Sequence, residues 1–147
     1  MPETSIDWIT TKAIVAELRA DTALRGVSIE PGWVGEQGIV AEMIWLDETE
    51  SNVAIPVMTG TRMHRDDLFD LTWLYRVAGR PTLDATRERI AQLMASIENV
   101  LANSPTLSDL DGVVSAEITR RRAMATRTPA GFVGFGETVV QVHSRLT

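Results

Sequence analysis

An α+β domain, built as a mostly antiparallel sheet with helices packed on one face, is the fold class this sequence predicts. Three observations carry it. Phe69, Leu71, Trp73, Tyr75 and Val77 alternate with polar residues at the period of a strand. Thr82 to Asn103 places Ile90, Leu93, Met94, Ile97, Val100 and Leu101 on one helical stripe, with Glu88, Arg89, Gln92, Glu98 and Asn99 turned outward. Two further alternating segments follow that helix, and runs of strands mixed with few helices point to an antiparallel sheet covered on one side.

In chain order, a first helix is expected over about Asp7 to Arg19. Ser5 and Asp7 are candidate N-caps, and Trp8, Ile14, Val15 and Leu18 recur at helical spacing. Val27 and Ile29 alternate with polar neighbours as a short strand that Pro31-Gly32 ends. Ile39 to Leu46 reads as a strand apolar on both faces, which implies cover on both sides by protein or by a partner. Asp47 to Asn52 is expected to be a polar turn. Val53, Ile55 and Val57 alternate again, but Pro56 has no N–H to offer a ladder, so this piece is expected at an edge or as an arm. Thr59 to Asp66 is polar and expected to be irregular. The strand over Leu68 to Val77 then runs to Gly79-Arg80-Pro81. The long helix should span roughly 33 Å at 1.5 Å per residue and stop at Pro105. Val114, Ala116 and Ile118 are expected to face inward on the next strand, and Val140, Val142 and Leu146 on the last, with Thr126 to Gly131 as the turn between them. The predicted order is α-β-β-(β)-β-α-β-β, in one domain over 1–147.

Composition narrows the chemistry. A chain of 147 residues can bury roughly 70% of the surface its unfolded form exposes, so it needs no staple. It has no cysteine, which removes disulfides, thiolate nucleophiles and cysteine zinc sites together. The polar, acidic N-terminus lacks the charged and apolar regions of a signal peptide, and no stretch reaches the ~18 apolar residues of a span. A soluble protein made in the cytoplasm, with no membrane contact, is expected. The net charge of −6, with a single lysine beside thirteen arginines, argues against a phosphate-gripping protein.

No catalytic, cofactor-binding or metal-ligating set emerges. His64 and His143 are the two histidines, and neither has a serine or acid at a motif spacing. Arg62-Met63-His64-Arg65-Asp66-Asp67 is the most enzyme-like cluster, since a histidine beside two carboxylates can bind metal or move protons. It reads more simply as a charged surface loop. A small enzyme or ligand-binding domain built on it remains an alternative that His64→Ala would test. Gly131-Phe132-Val133-Gly134-Phe135-Gly136 lacks the Lys-Ser/Thr of a phosphate loop and opens a strand rather than a helix. It is a strand start kinked by glycines, or else an edge presenting Phe132 and Phe135 to a neighbouring chain. Arg120-Arg121-Arg122, with Arg127 nearby, is a solvated strand end or a docking run for an acidic patch on another copy. The apolar Val53, Ile55, Val57 and Met58 either fold back on the preceding strand or form a partner-binding arm. These nine residues, Val53, Ile55, Val57, Met58, Arg120, Arg121, Arg122, Phe132 and Phe135, are the candidate interface.

The order of elements resembles the tail-terminator family of long-tailed phages, also called minor tail or tail completion proteins. The matching pieces are Leu24-Arg25-Gly26-Val27-Ser28-Ile29 after the first helix and Gly79-Arg80-Pro81 after the aromatic strand. Ser104-Pro105-Thr106-Leu107 then closes the long helix, and Asp111-Gly112-Val113 follows. Val140-Gln141-Val142-His143-Ser144-Arg145-Leu146 makes the last strand. The resemblance implies a structural virion protein, assembled in the host cytoplasm and placed at the neck end of the tail. Such proteins cap the last ring of the tail tube, usually as a homohexameric ring, and offer a surface to the head. The implied partners are further copies of the chain, the tail tube protein and a neck or head-completion protein. DNA passes through the lumen without specific binding, which an acidic wall would favour. The alternative within the virion is a head-completion or stopper role. The family brings no catalytic residues and no cofactor.

Overall fold

A computed structural model describes residues 6–53, 57–59, 62–104 and 112–146. Helix α1 (Ile6–Ala20) leads to the short strand β1 (Ser28–Glu30), then β2 (Glu42–Val53), β3 (Val57–Thr59) and β4 (Arg62–Ala78). Helix α2 (Leu83–Asn103) and the hairpin of β5 (Val113–Thr128) and β6 (Gly131–Leu146) complete the chain, with one-turn 3-10 helices at Thr22–Leu24 and Glu36–Gly38. The sheet runs β1-β2-β4-β6-β5, and β3 also pairs with β4. β1 lies parallel to β2, and the other pairs are antiparallel. The α+β class and the element order are those the sequence predicts.

Both helices lie on one face. Ile14, Val15 and Leu18 of α1 and Ile90, Leu93, Met94, Ile97 and Leu101 of α2 pack on Ile44, Leu46, Phe69, Leu71, Trp73, Tyr75, Val77, Val140 and Val142. Spacings of three and four along each helix and of two along each strand bring these side chains to one layer. Thr82 caps α2, its hydroxyl accepting from the Ala85 amide at 3.0 Å, which satisfies one of the orphan donors of the first turn. Inside the layer, the Tyr75 hydroxyl meets the Thr138 hydroxyl at 2.8 Å. Burial pushes the phenol far above its ordinary pKa; the Thr138 bond pulls it down and the Glu98 charge adds to the rise.

Several expectations are corrected. Asp47 to Asn52 is not a turn: β2 runs through it, because β4 supplies a ladder as far as Val53. A register shift between Leu46 and Glu48 sets the extra residue, Asp47, aside and puts Glu48 and Glu50 opposite Thr72 and Asp70. The Arg62–Asp67 cluster is strand rather than loop, paired with β3 at its start and with β6 from Arg65. Neighbouring strands override the weak strand preference of charged residues. Ile39 and Val40 fall outside β2 and are exposed. Trp8 stands 43% exposed at the rim of the α1 stripe, with the Lys12 ammonium 6.0 Å above its ring. Val114 is exposed as well: a register shift between Val113 and Ser115 turns Val113 to the core instead. β5 continues to Thr128, which confines the turn to Pro129-Ala130.

The glycine-rich start of β6 is not an edge. It is paired on both sides, with β4 and with β5. Its glycines have a packing reason: a Cβ on Gly134 would stand 2.8 Å from Ile90 Cγ1 and 2.9 Å from Thr86 Cγ2, and one on Gly136 would stand 3.1 Å from Tyr75. The missing side chains let α2 lie directly on the strand.

Candidate functional site

The helices leave the other face of the sheet open, and strand alternation decides what it shows. On β2 it shows Met43, Trp45, Glu48 and Glu50; on β4, Asp70, Thr72, Leu74 and Arg76. β6 adds Phe135, Glu137 and Val139, and β5 adds Arg120, Arg122 and Met124.

At one corner the chain covers this face itself. Met43 and Trp45 are buried beneath the segment before β2. Trp33 packs against Trp45 with ring centroids 5.3 Å apart. The Val40 amide donates to Met43 Sδ at 3.4 Å, and Arg76 Nη1 donates to the Val40 carbonyl at 2.6 Å. The covering segment is itself apolar outside: Trp33 is 52% exposed, and Val34, Ile39 and Val40 are exposed too. The two-sided cover expected for β2 is therefore supplied by the protein, and the segment supplying it carries the apolar surface outward.

Two depressions lie further along. One, of about 410 Å³, is lined by Leu74, Arg122, Ala123, Met124, Phe135, Gly136 and Glu137. The other, of about 440 Å³, is edged by Asp47, Glu48, Glu50, Asp70, Thr72, Thr119, Arg120, Glu137 and Val139. The first offers Met124 and Phe135, at 56% and 43% exposure, between an arginine and a glutamate. That mixture suits a protein contact: apolar and aromatic groups at the centre, charge at the rim.

Of the nine candidate interface residues, the structure brings together Arg120, Arg122 and Phe135 on the open face. Arg120 and Arg122 share one carboxylate, Glu137, at 3.5 and 3.4 Å. Arg121 turns to the helix side and pairs with Glu98 of α2, because adjacent strand residues point to opposite faces. Phe132 is partly buried opposite Arg127. Val53 lies at the end of β2 opposite Asp67, and Val57 and Met58 lie in β3 opposite His64 and Met63. Ile55 lies outside the described residues. His64 sits in β4 opposite Val57, four positions along that strand from Leu68, which lies opposite His143; Ser115 flanks His143 on the other side. Among the described residues no cluster of three or more His, Cys, Asp or Glu could hold a metal ion, and no helix is long and apolar enough to cross a membrane.

Sequence reasoning missed the apolar segment around Trp33, although Gly32, Gly35 and Gly38 punctuate it and glycines around an exposed tryptophan mark a shaped loop. It also missed a charge lock at Glu42. That carboxylate accepts from Arg80 Nη2 at 2.6 Å and from Arg89 Nε at 3.2 Å, tying β2 to α2 and to the turn before it. Burial raises the Glu42 pKa, but the hydrogen bonds and charges of Arg80 and Arg89 outweigh burial and hold it below the usual carboxylate range. A depressed carboxyl contributes stability above its unfolded pKa and loses it as pH falls through the folded value. As pH falls from 7 through the acid range, wild type is therefore expected to lose more stability than Glu42→Gln, which has no carboxylate to protonate. Urea midpoints across that range read the difference; equal losses would remove the lock.

No family model matches this sequence, and no curated protein matches it either. Among solved structures, a chain from the virion of a native gene transfer agent (GTA) particle is similar in fold. It aligns with a TM-score of 0.50 and 15% identity over 92% of this chain and 94% of that chain. At that identity the likeness is one of fold, and it extends over nearly the whole of both chains.

Proposed function

We propose that this chain is a structural subunit of a phage-like virion. In this reading it caps the tail tube, ends tail elongation and presents the surface to which the head joins. The observation that carries the virion reading is the fold shared end to end with a chain of a GTA virion. The capping role draws on the order of elements and motifs that resemble tail terminators. The exposed apolar segment at Trp33 and the mixed apolar and charged open face supply the contact surfaces such work requires.

The work is mechanical, with no bond made or broken and no cofactor. Copies join as a ring, proposed to be a hexamer, with one side on the tube protein and the other on a neck protein. A stable subunit contact needs roughly 800 Å² from each partner. The net charge of −6 favours a lumen through which DNA slides without adhering. The nine interface candidates are proposed to serve these contacts.

The test is to polymerise tail-tube protein with and without this chain and measure tube lengths by negative-stain microscopy. Shortened tubes bearing a ring at one end are expected. Unchanged lengths and bare ends would sink the capping role, and binding to the portal-side connector alone would move the chain to a stopper role.

A further inference from the structure

We infer that copies of this chain join edge to edge, with β5 of one copy laid alongside β2 of the next. The inference rests on the self-assembly proposed above and names the surfaces that perform it.

Two long strand edges lack a neighbour among the described strands; the outer edges of β1 (Ser28–Glu30) and β3 (Val57–Thr59) are free too but only three residues long. β5 pairs with β6 alone along its whole length, and beyond Trp45, where β1 ends, β2 pairs with β4 alone. Each presents a row of backbone N–H and C=O groups, which is a template for another strand. The free part of β2, Leu46 to Val53, spans about 27 Å at ~3.4 Å per residue and can lie entirely within the longer β5.

Charge decides which edges meet. β5 carries Arg120, Arg121, Arg122 and Arg127 against a single acid, Glu117. β2 carries Glu42, Asp47, Glu48 and Glu50 and no basic residue. Glu42 is occupied by Arg80 and Arg89, while Asp47, Glu48 and Glu50 are exposed. On the other side, Arg120 and Arg122 share Glu137 as their one acidic partner among the described residues, and Arg127 is exposed. The guanidinium surplus therefore stands at one border of the sheet and the carboxylate surplus at the other.

That separation selects the symmetry. Two β5 edges brought together oppose arginines, two β2 edges oppose carboxylates, and like charges directly across a strand pair destabilise it. Only β5 against β2 is attractive. A contact between different edges of identical subunits is heterologous, so it leaves the joined pair with one free edge of each kind and propagates into a ring or filament rather than stopping at a two-fold dimer. It also makes the sheet continuous from copy to copy, with all helices on one side.

The test uses two charge-reversed full-length chains, Arg120→Glu/Arg122→Glu/Arg127→Glu and Asp47→Lys/Glu48→Lys/Glu50→Lys. Mass in solution is measured by light scattering in about 50 mM salt and in about 1 M, where charge is screened within ~3 Å. Wild type is expected to assemble at low salt and fall toward the monomer mass at high salt. Each reversed chain alone should stay monomeric. Their equimolar mixture should assemble, and so should one chain carrying both sets, which also shows that the substitutions leave the fold intact. A wild type that stays monomeric at low salt overturns the edge pairing, as do reversed chains that assemble unaided or a doubly reversed chain that does not. If wild type forms rings on tubes while the reversed chains do so equally well, the edge pairing fails and the capping role stands.

Discussion

Trp73→Ala should lower the unfolding free energy by about 3–5 kcal/mol. Trp73 is fully buried at the centre of the helix-facing layer. It stands opposite Leu46 of β2 and Thr138 of β6, so its strand is held in register from both sides and cannot shift to fill the space an indole leaves. The unfilled volume adds to the lost transfer of apolar area, which is why the upper part of that range is expected. Its Nε1 is buried with no hydrogen-bond partner among the described residues. A desolvated donor of this kind costs stability, so Trp73→Phe removes that penalty along with part of the ring. The Phe variant should fall within about 1–2 kcal/mol of wild type. Urea midpoints at unchanged m-value give both numbers. A Phe variant as unstable as the Ala variant would show that the indole N–H has a partner after all.

Gly134→Val is expected to cost about 2–3 kcal/mol, against the usual direction for a strand. A glycine inside a strand costs roughly 0.5–1 kcal/mol relative to a residue with a side chain, and valine favours strands. Here the helix decides. The new Cβ would fall 2.8 Å from Ile90 and 2.9 Å from Thr86, both side chains held by the α2 backbone that must then move away. Displacing α2 loosens its whole stripe, so the steric loss exceeds the strand gain. Pairing Gly134→Val with Ile90→Ala should recover part of it, since the two contacts are coupled. If Gly134→Val is neutral, α2 does not pack on β6 as closely as described.

Much of the fold was legible because apolar periodicity records one face at a time. The α2 stripe and the alternation through Phe69, Leu71, Trp73, Tyr75 and Val77 each need one neighbouring layer, and their spacing announces it. The misread places depended on partners far along the chain. Asp47 to Asn52 and Arg62 to Asp67 look like turns locally, yet each is a strand because distant strands flank it: Leu68 to Thr72 of β4 for the first, β3 and β6 for the second. Val114 looked inward until a register shift handed its place to Val113. The candidate surface was legible only in part. The arginine run could be seen, but not that Arg121 faces α2 while Arg120 and Arg122 face away.

The α+β class, the order of the elements, the two core stripes and the want of a cysteine or spaced histidine motif are all written in the chain's residues alone. These follow from local chemistry and from period, which need no knowledge of what lies across the sheet. Long-range packing sets the strand order β1-β2-β4-β6-β5, the reason for Gly134, the Glu42 lock and the sign of charge on each border. All four arise from contacts between residues tens of positions apart, and closing those loops carries an entropic term that local sequence does not encode.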